Sequence, residues 1–323
     1  MTAQLIDGNA VAEGIIGGLT AEIEKLKASG NAPQLVAVQV GENPASRVYI
    51  RNQRESCEKI GIAYRLDELP ADTTQDALSA HIRGLNADAA VSGVILQMPL
   101  PEGVDARRAQ LEIAFEKDVE GMHPANMGRV VYGDTSLAPC TAQGAFMLAR
   151  SLELAPSHDP LPEFAGRMIE AGKTTPSLYG KNVVIVGHSE IVGKPLALLF
   201  LDHFCTVEVC HIATRDLAAK TKAADILCVA VGKAGLISAD MIGSGAAVID
   251  IGINRVPDIG PDGKQKLTKK GRPKKKTVGD VDFESAKEVA GYITPVPGGV
   301  GPMTVAMLLK NTVEAARAAA GQG

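Results

Sequence analysis

Ser46, Tyr49 and Gln53 stand at i, i+3 and i+7 in the stretch SRVYIRNQRE. On a helix that spacing places a hydroxyl, a phenol and an amide on one face. The stretch follows QLVAVQV (34–40), which reads as a buried strand. The connecting GENP supplies Asn43 as a helix N-cap and Pro44 for the first helical position, where no N–H is needed. A polar stripe beside a strand end is a candidate ligand site. Its third member is an amide where a titrating group would be more useful for acid–base chemistry.

A second constellation is VVIVGHSEIVGKP (183–195), a strand, turn and helix with Gly187 and Gly193 flanking Ser189. The dinucleotide fingerprint G-x-G-x-x-G combines a tight turn, close approach of backbone to pyrophosphate, and a helix N-terminus that holds the anion. Here serine replaces the middle glycine and the last glycine comes one residue late. AVGKAGLI (230–237) and IDIGIN (249–254) also place glycines where strands end, at the usual ligand crevice of a parallel sheet. KDVEGMHPANMG (117–128), LAPCTAQG (137–144) and TPVPGGVGPMT (294–304) are turn-rich. The second offers Thr141 as a cap, and the third opens a helix. His123 alone reads as a structural histidine.

The elements that must position these residues alternate. LVAVQV, IAYRLDEL and VSGVILQMPL read as strands; 44–60, 74–85 and a segment after Thr141 read as helices. The pattern restarts at Lys181 with KNVVIVG and a helix from Gly193, then TVEVC, DILCVAVG and AAVIDIGI. Alternating strands and helices imply parallel pairing, hence two α/β units. The Pro- and Gly-bearing stretch 154–180 marks the boundary, and a last helix, 301–319, docks on a domain. At 323 residues the chain suits two domains. Apolar residues at 46% and charged residues at 22% are ordinary for a globular protein, and a net charge of −4 argues against a general nucleic-acid binder. No apolar run approaches a membrane span, and no signal peptide stands at the N-terminus. Five cysteines without a CxxC pair read as buried free thiols; no metal site is expected. The basic run GKQKLTKKGRPKKK (263–276) resembles an AT-hook, but reads as a solvated loop, so no nucleic-acid contact is expected from it.

Together these motifs, with VGENPASRVYIRN, LQMPLP and VGDVDF, carry a resemblance to the bifunctional methylenetetrahydrofolate dehydrogenase/methenyltetrahydrofolate cyclohydrolase family, nearly end to end. The resemblance implies a folate-binding catalytic domain (1–148, completed by the C-terminal helix 300–323) and a Rossmann-type NAD(P)-binding domain (149–295), with the active-site cleft between them. It implies a cytoplasmic homodimer in one-carbon metabolism, acting on tetrahydrofolate derivatives with NADP or NAD. Tyr49 and Gln97 match the positions lining the reacting centre, with Gln53 at the catalytic position between them. Ser46, Glu120, Pro297, Gly298 and Gly299 match the substrate side. Gly187, His188, Ser189, Gly193, Ile212, Ile253 and Thr294 match the cofactor side.

The departures carry the functional question. The family's catalytic lysine, four residues after the tyrosine, is Gln53 here, and Arg51 and Arg54 lie on other helix faces. The pterin-binding acid, usually aspartate, is Glu120. Ala142 replaces a proline, His188 an arginine, and Ile212 a serine that helps hold the 2′-phosphate of NADP. A glutamine hydrogen-bonds but has no proton to exchange near neutral pH, whereas hydride transfer needs positioning without a general base. The sequence therefore predicts a dehydrogenase whose cyclohydrolase step is weakened or lost. Two alternatives remain: a dehydrogenase of another pterin or small substrate, and a non-catalytic family member.

Overall fold

In the computed structural model the strand-like runs assemble into two separate parallel sheets and one small antiparallel hairpin. The structure describes residues 2–42, 46–155, 157, 162–268 and 270–321; the expected helix start at Asn43 and Pro44 lies outside them. In chain order come β1 (Gln4–Leu5), α1 (Gly8–Ala28), β2 (Gln34–Val40), α2 (Ser46–Ile60), β3 (Ala63–Leu69), α3 (Gln75–Ala87), β4 (Gly93–Leu96), α4 (Ala106–Leu111), α5 (Pro124–Val131) and α6 (Cys140–Arg150). Then follow α7 (Glu163–Glu170), β5 (Asn182–Val186), α8 (Gly193–Asp202), β6 (Thr206–Cys210), α9 (Leu217–Lys222), β7 (Ile226–Val229) and β8 (Ala247–Asp250). The chain continues with β9 (Asn254–Pro257), β10 (Lys275–Val278), α10 (Phe283–Ala286), β11 (Tyr292–Ile293) and α11 (Val300–Ala319). Thr141 falls inside α6, which already begins at Cys140, so it is not the cap that the sequence suggested.

One compact unit comprises Ala12–Gln143 and Met303–Gly323. Its sheet has the order β3-β2-β4, all parallel. The central strand β2 is buried along almost its whole length, which is why QLVAVQV is continuously apolar rather than alternating. Val36, Val38 and Leu96 pack with Leu78 and Ile82 of α3. That helix starts where the sequence placed it, because the Thr74 hydroxyl accepts from Ala77 N at 3.2 Å. On α11, Asn311 Nδ2 donates to Val119 O at 3.0 Å and Ala138 O at 3.1 Å, fastening the C-terminal helix beside the KDVEG and PCTA segments.

The other unit comprises Met1–Val11 and Gly144–Pro302. Its six strands are all parallel, in the order β1-β11-β8-β7-β5-β6. β1, which the sequence reading assigned with residues 1–148, pairs with β11 here. The chain runs from β5 to β6 on one side, then crosses to β7 on the other. That reversal is the topological switch point of a doubly wound sheet, where a crevice opens outside the carboxyl ends of the strands. Val184, Val186, Leu227, Val229, Val248 and Ile293 build its core. The basic run is not a featureless loop: β9 and β10 pair antiparallel at its base, and Asp258 holds Lys274 at 2.9 Å and Lys266 at 3.3 Å. Among the described residues all five cysteines are buried and free, and no helix is long and apolar enough to cross a membrane.

Candidate active site and dinucleotide edge

In the unit holding β2, the polar stripe of α2 meets residues from three other segments. Ser46 is buried and its hydroxyl donates to Met98 O at 3.1 Å, tying the start of α2 to the loop after β4. Gln53, two turns on, is completely buried. Its Oε1 accepts from Gln97 Nε2 at 3.0 Å and from the Tyr64 hydroxyl of β3 at 3.4 Å. The Gln53 Nε2 has no hydrogen-bond partner among the described residues. The Arg51 and Arg54 side chains point elsewhere: Arg51 lies 3.8 Å from Glu55, and the Arg54 guanidinium sits 5.7 Å over the Tyr64 ring.

The Tyr49 phenol is pushed well above its ordinary pKa, chiefly by burial. Cys140 and Glu120 add to the shift and the Gln53 amide opposes it. Tyr49 therefore stays protonated across the neutral range and is a hydrogen-bond donor. Tyr64 is raised likewise by burial and Cys57, against the opposing charge of Arg54.

The KDVEG segment separates its two acids by function. Asp118 is fully buried and accepts from Gly121 N at 3.2 Å, His123 N at 2.6 Å and Asn126 Nδ2 at 3.1 Å, so it shapes the turn. The turn needs Gly121: its φ is +78°, and a Cβ there would lie 2.4 Å from the Ala138 carbonyl carbon. His123 caps α5, its Nδ1 accepting from Ala125 N at 3.1 Å, which matches the structural role read from the sequence. Glu120 is half-buried, with Oε2 3.3 Å from Gln110 Nε2. Burial, reinforced by Asp118, pushes its carboxyl up to about 7, so it changes charge near neutral pH. Ser46, Tyr49, Gln53, Gln97 and Glu120 all belong to this one unit; Pro297, Gly298 and Gly299 belong to the other.

In that other unit, the turn after β5 has the shape a dinucleotide requires. Gly187 has φ +124°, and a Cβ on it would lie 2.3 Å from Ala230 O, just past β7. A Cβ on Gly193 would lie 2.0 Å from Gly187 O. The Ser189 hydroxyl closes the turn by accepting from Val192 N at 3.2 Å, and Lys194 N, in the first turn of α8, donates to Ser189 O at 3.0 Å. This backbone approach, at the switch point of the sheet, fits a pyrophosphate. His188 and His211 face each other with ring centroids 5.2 Å apart. Ile212 and Ile253 are strongly exposed apolar side chains beyond the ends of β6 and β8, suited to cover flat rings. Thr294 is fully buried, and its hydroxyl accepts from Asp250 N at 2.7 Å, so it supports β8 from within the sheet. Gly298 O accepts from Gly8 N at 3.0 Å; Pro297 is exposed and Gly299 buried.

The sequence reading missed three residues. Tyr64 carried no local signal, because its partner lies on another element. Asp250 and Asp280 stood inside IDIGIN and VGDVDF without being singled out. The Asp250 carboxylate accepts from Gly252 N, Asp280 N and Val281 N at 2.9–3.0 Å, yet burial raises its pKa to about 6. Asp280 accepts from Val231 N at 2.7 Å and Gly232 N at 2.9 Å, fixing the loop after β7.

Fold and site thus define a two-unit α/β protein with a dinucleotide-type switch point in one unit and a buried phenol–amide cluster in the other. Residues 6–120 match the family model for the tetrahydrofolate dehydrogenase/cyclohydrolase catalytic domain, and residues 165–320 match that for its NAD(P)-binding domain. The chain is 46% identical over 317 residues to the bifunctional protein FolD of Moorella thermoacetica, covering 98% of this chain and 100% of that one. It is similar to the solved bifunctional FolD of Campylobacter jejuni, with TM-score 0.80, 37% identity and coverage of 98% and 99%. It is also similar to the Trypanosoma brucei methylenetetrahydrofolate dehydrogenase-cyclohydrolase solved with NADP and inhibitor, with TM-score 0.79, 34% identity and 99% coverage of each. The chain belongs to the tetrahydrofolate dehydrogenase/cyclohydrolase family.

Proposed function

We propose that this protein oxidises 5,10-methylenetetrahydrofolate to 5,10-methenyltetrahydrofolate with NAD or NADP, and that its onward hydrolysis to 10-formyltetrahydrofolate is slow. Family membership along the whole chain supports the first half. The buried Gln53 amide, held by Gln97 and Tyr64 where the family resemblance expects a lysine, supports the second.

The turn from Gly187 to Gly193 would hold the nicotinamide cofactor, which would supply a hydride acceptor for the methylene carbon. The chain's residues need only position that carbon. Tyr49 donates a hydrogen bond as a neutral phenol at any working pH, because burial keeps it protonated. Gln97 and Gln53 supply fixed amides. Glu120, ionised in part near pH 7, accepts from pterin N–H groups. Opening of the methenyl cation differs: water adds to the cationic carbon and a proton must leave. A positioned base is typically worth ~10²–10⁴ in such a step. Gln53 accepts no proton there.

The test is to supply methylenetetrahydrofolate with NAD or NADP and follow reduced nicotinamide and methenyl product together. Formation of both in equal amounts supports the proposal. No reduced nicotinamide from folded protein would overturn it. The family resemblance further supports a cytoplasmic homodimer, which sedimentation and cell fractionation would check.

A further inference from the structure

The crevice of a doubly wound sheet has two lips, one on each side of the switch point. One lip here is the turn 187–193 after β5. The other is the loop 231–235 after β7, the strand paired with β5. Ala230 N donates to Val186 O at 2.8 Å, so this loop leaves the sheet directly beside Gly187. The adenosine half of a dinucleotide lies toward the second strand of such a unit, here β6, which puts the nicotinamide half on the β7 side. All five residues of the loop are exposed, yet a fully buried acid pins it. Asp280 Oδ2 accepts from Val231 N at 2.7 Å and Gly232 N at 2.9 Å. Its backbone oxygen accepts from Ile237 N at 3.2 Å, so one residue holds the loop at both ends. Oδ1 accepts from Asn254 Nδ2 at 2.8 Å, which fixes the plane of the carboxyl group. Behind it, Asp280 N donates to Asp250 Oδ1 at the end of β8, at 3.0 Å.

We propose that Asp280 is a positioning residue for the cofactor: it holds the loop 231–235 as the second lip of the crevice, against which the nicotinamide half of a dinucleotide would rest. This inference rests on the functional reading above, because it takes a nicotinamide dinucleotide as the ligand of this edge. Asp280 touches neither cofactor nor folate and acts through the backbone of Val231 and Gly232. Burying an acid is costly, and the cost is offset here by bonds to an exposed loop rather than by packing of the sheet. That arrangement serves a loop that must keep one shape for a ligand.

The test is calorimetric titration of the folate-free protein with NADH, NADPH and ADP, comparing wild type, Asp280→Ala and Asp280→Asn. Asp280→Ala should raise the Kd of whichever reduced cofactor the wild type binds more tightly by about tenfold. Its Kd for ADP, which carries the adenosine half and two phosphates, should stay within about twofold of wild type. Asp280→Asn keeps an oxygen for the two loop N–H groups and should hold the reduced-cofactor Kd within about threefold of wild type. In turnover, Asp280→Ala should raise the KM for the cofactor and leave the KM for methylenetetrahydrofolate unchanged. An unchanged reduced-cofactor Kd in folded Asp280→Ala would overturn the proposal. Equal weakening of ADP and reduced cofactor would also overturn it, by showing that Asp280 merely supports the sheet. If Asp280→Ala does not fold, Asn254→Ala, which frees the carboxyl group to turn, takes its place. It should raise the reduced-cofactor Kd about threefold with ADP unaffected, and no rise would overturn the proposal. A folded wild type that binds neither NADH nor NADPH would count against the functional reading. Normal wild-type binding that Asp280→Ala leaves intact would count against this inference alone.

Discussion

Gln97 Nε2 donates to Gln53 Oε1 across 3.0 Å, joining the end of β4 to α2 through two side chains that are almost entirely removed from water. The bond fixes which of its functional groups each amide presents, and it makes position 53 a neutral site. Replacing Gln53 by lysine would put an ammonium where Gln97 now points an N–H.

Gln53→Lys should confer methenyltetrahydrofolate hydrolysis above the non-enzymatic rate, by ~10²-fold over wild type. The Gln97 amide must turn its oxygen to the ammonium, and the Tyr64 hydroxyl must accept instead of donate. Burial of the ammonium should lower stability by about 1–3 kcal/mol. Hydrolysis is read from the decay of methenyl absorbance, and stability from urea unfolding.

Glu120 links stability to pH. Its folded-state pKa, about 7, lies above the ordinary value of 4.5. Between those values the folded state binds more protons than the unfolded state, so stability falls as pH rises through the window and levels off above it. Glu120→Gln should therefore match wild type near pH 4.5. By pH 8 it should be more stable by on the order of 2 kcal/mol, after discounting for partial exposure. Denaturant midpoints at the two pH values test this.

Gly187→Ala should damage the dinucleotide edge. Its φ is +124°, and the added methyl carbon would sit 2.3 Å from the Ala230 oxygen, so the turn is forced open. We expect about 2 kcal/mol of lost stability and a large rise in the KM for the cofactor. An unchanged cofactor KM would count against this turn as the pyrophosphate site.

Discrimination for NADP over NAD should be modest. Ile212 is fully exposed and offers no donor to a 2′-phosphate, leaving His188, His211 and the exposed Arg215 as nearby basic side chains. A kcat/KM ratio above ~100-fold in favour of NADP would contradict this reading. Arg215→Ala should reduce turnover with NADP more than with NAD.

Much of this architecture was legible because apolar runs such as 34–40 and 183–186 are buried on both faces, and periodicity reports burial directly. Thr74 marked a helix start because its cap is local. What escaped was non-local or too short. β1 is two residues long and gains its place only by pairing with β11. The β9–β10 hairpin runs through lysines, which are depleted in strands, so its sequence read as a loop. Within the site, Gln53 was visible as an odd residue on a polar stripe. Its Tyr64 partner was not, because no sequence spacing encodes a contact between a helix and the following strand.

The most direct measurement is a single progress curve of the wild-type protein with methylenetetrahydrofolate and NAD or NADP, recording reduced nicotinamide and methenyltetrahydrofolate together. The account predicts that the two rise in equal amounts and that methenyltetrahydrofolate then persists at its non-enzymatic rate of decay. Nicotinamide reduction without methenyl accumulation, as the formyl product appears at the same rate, would show an efficient cyclohydrolase and contradict the role assigned to Gln53.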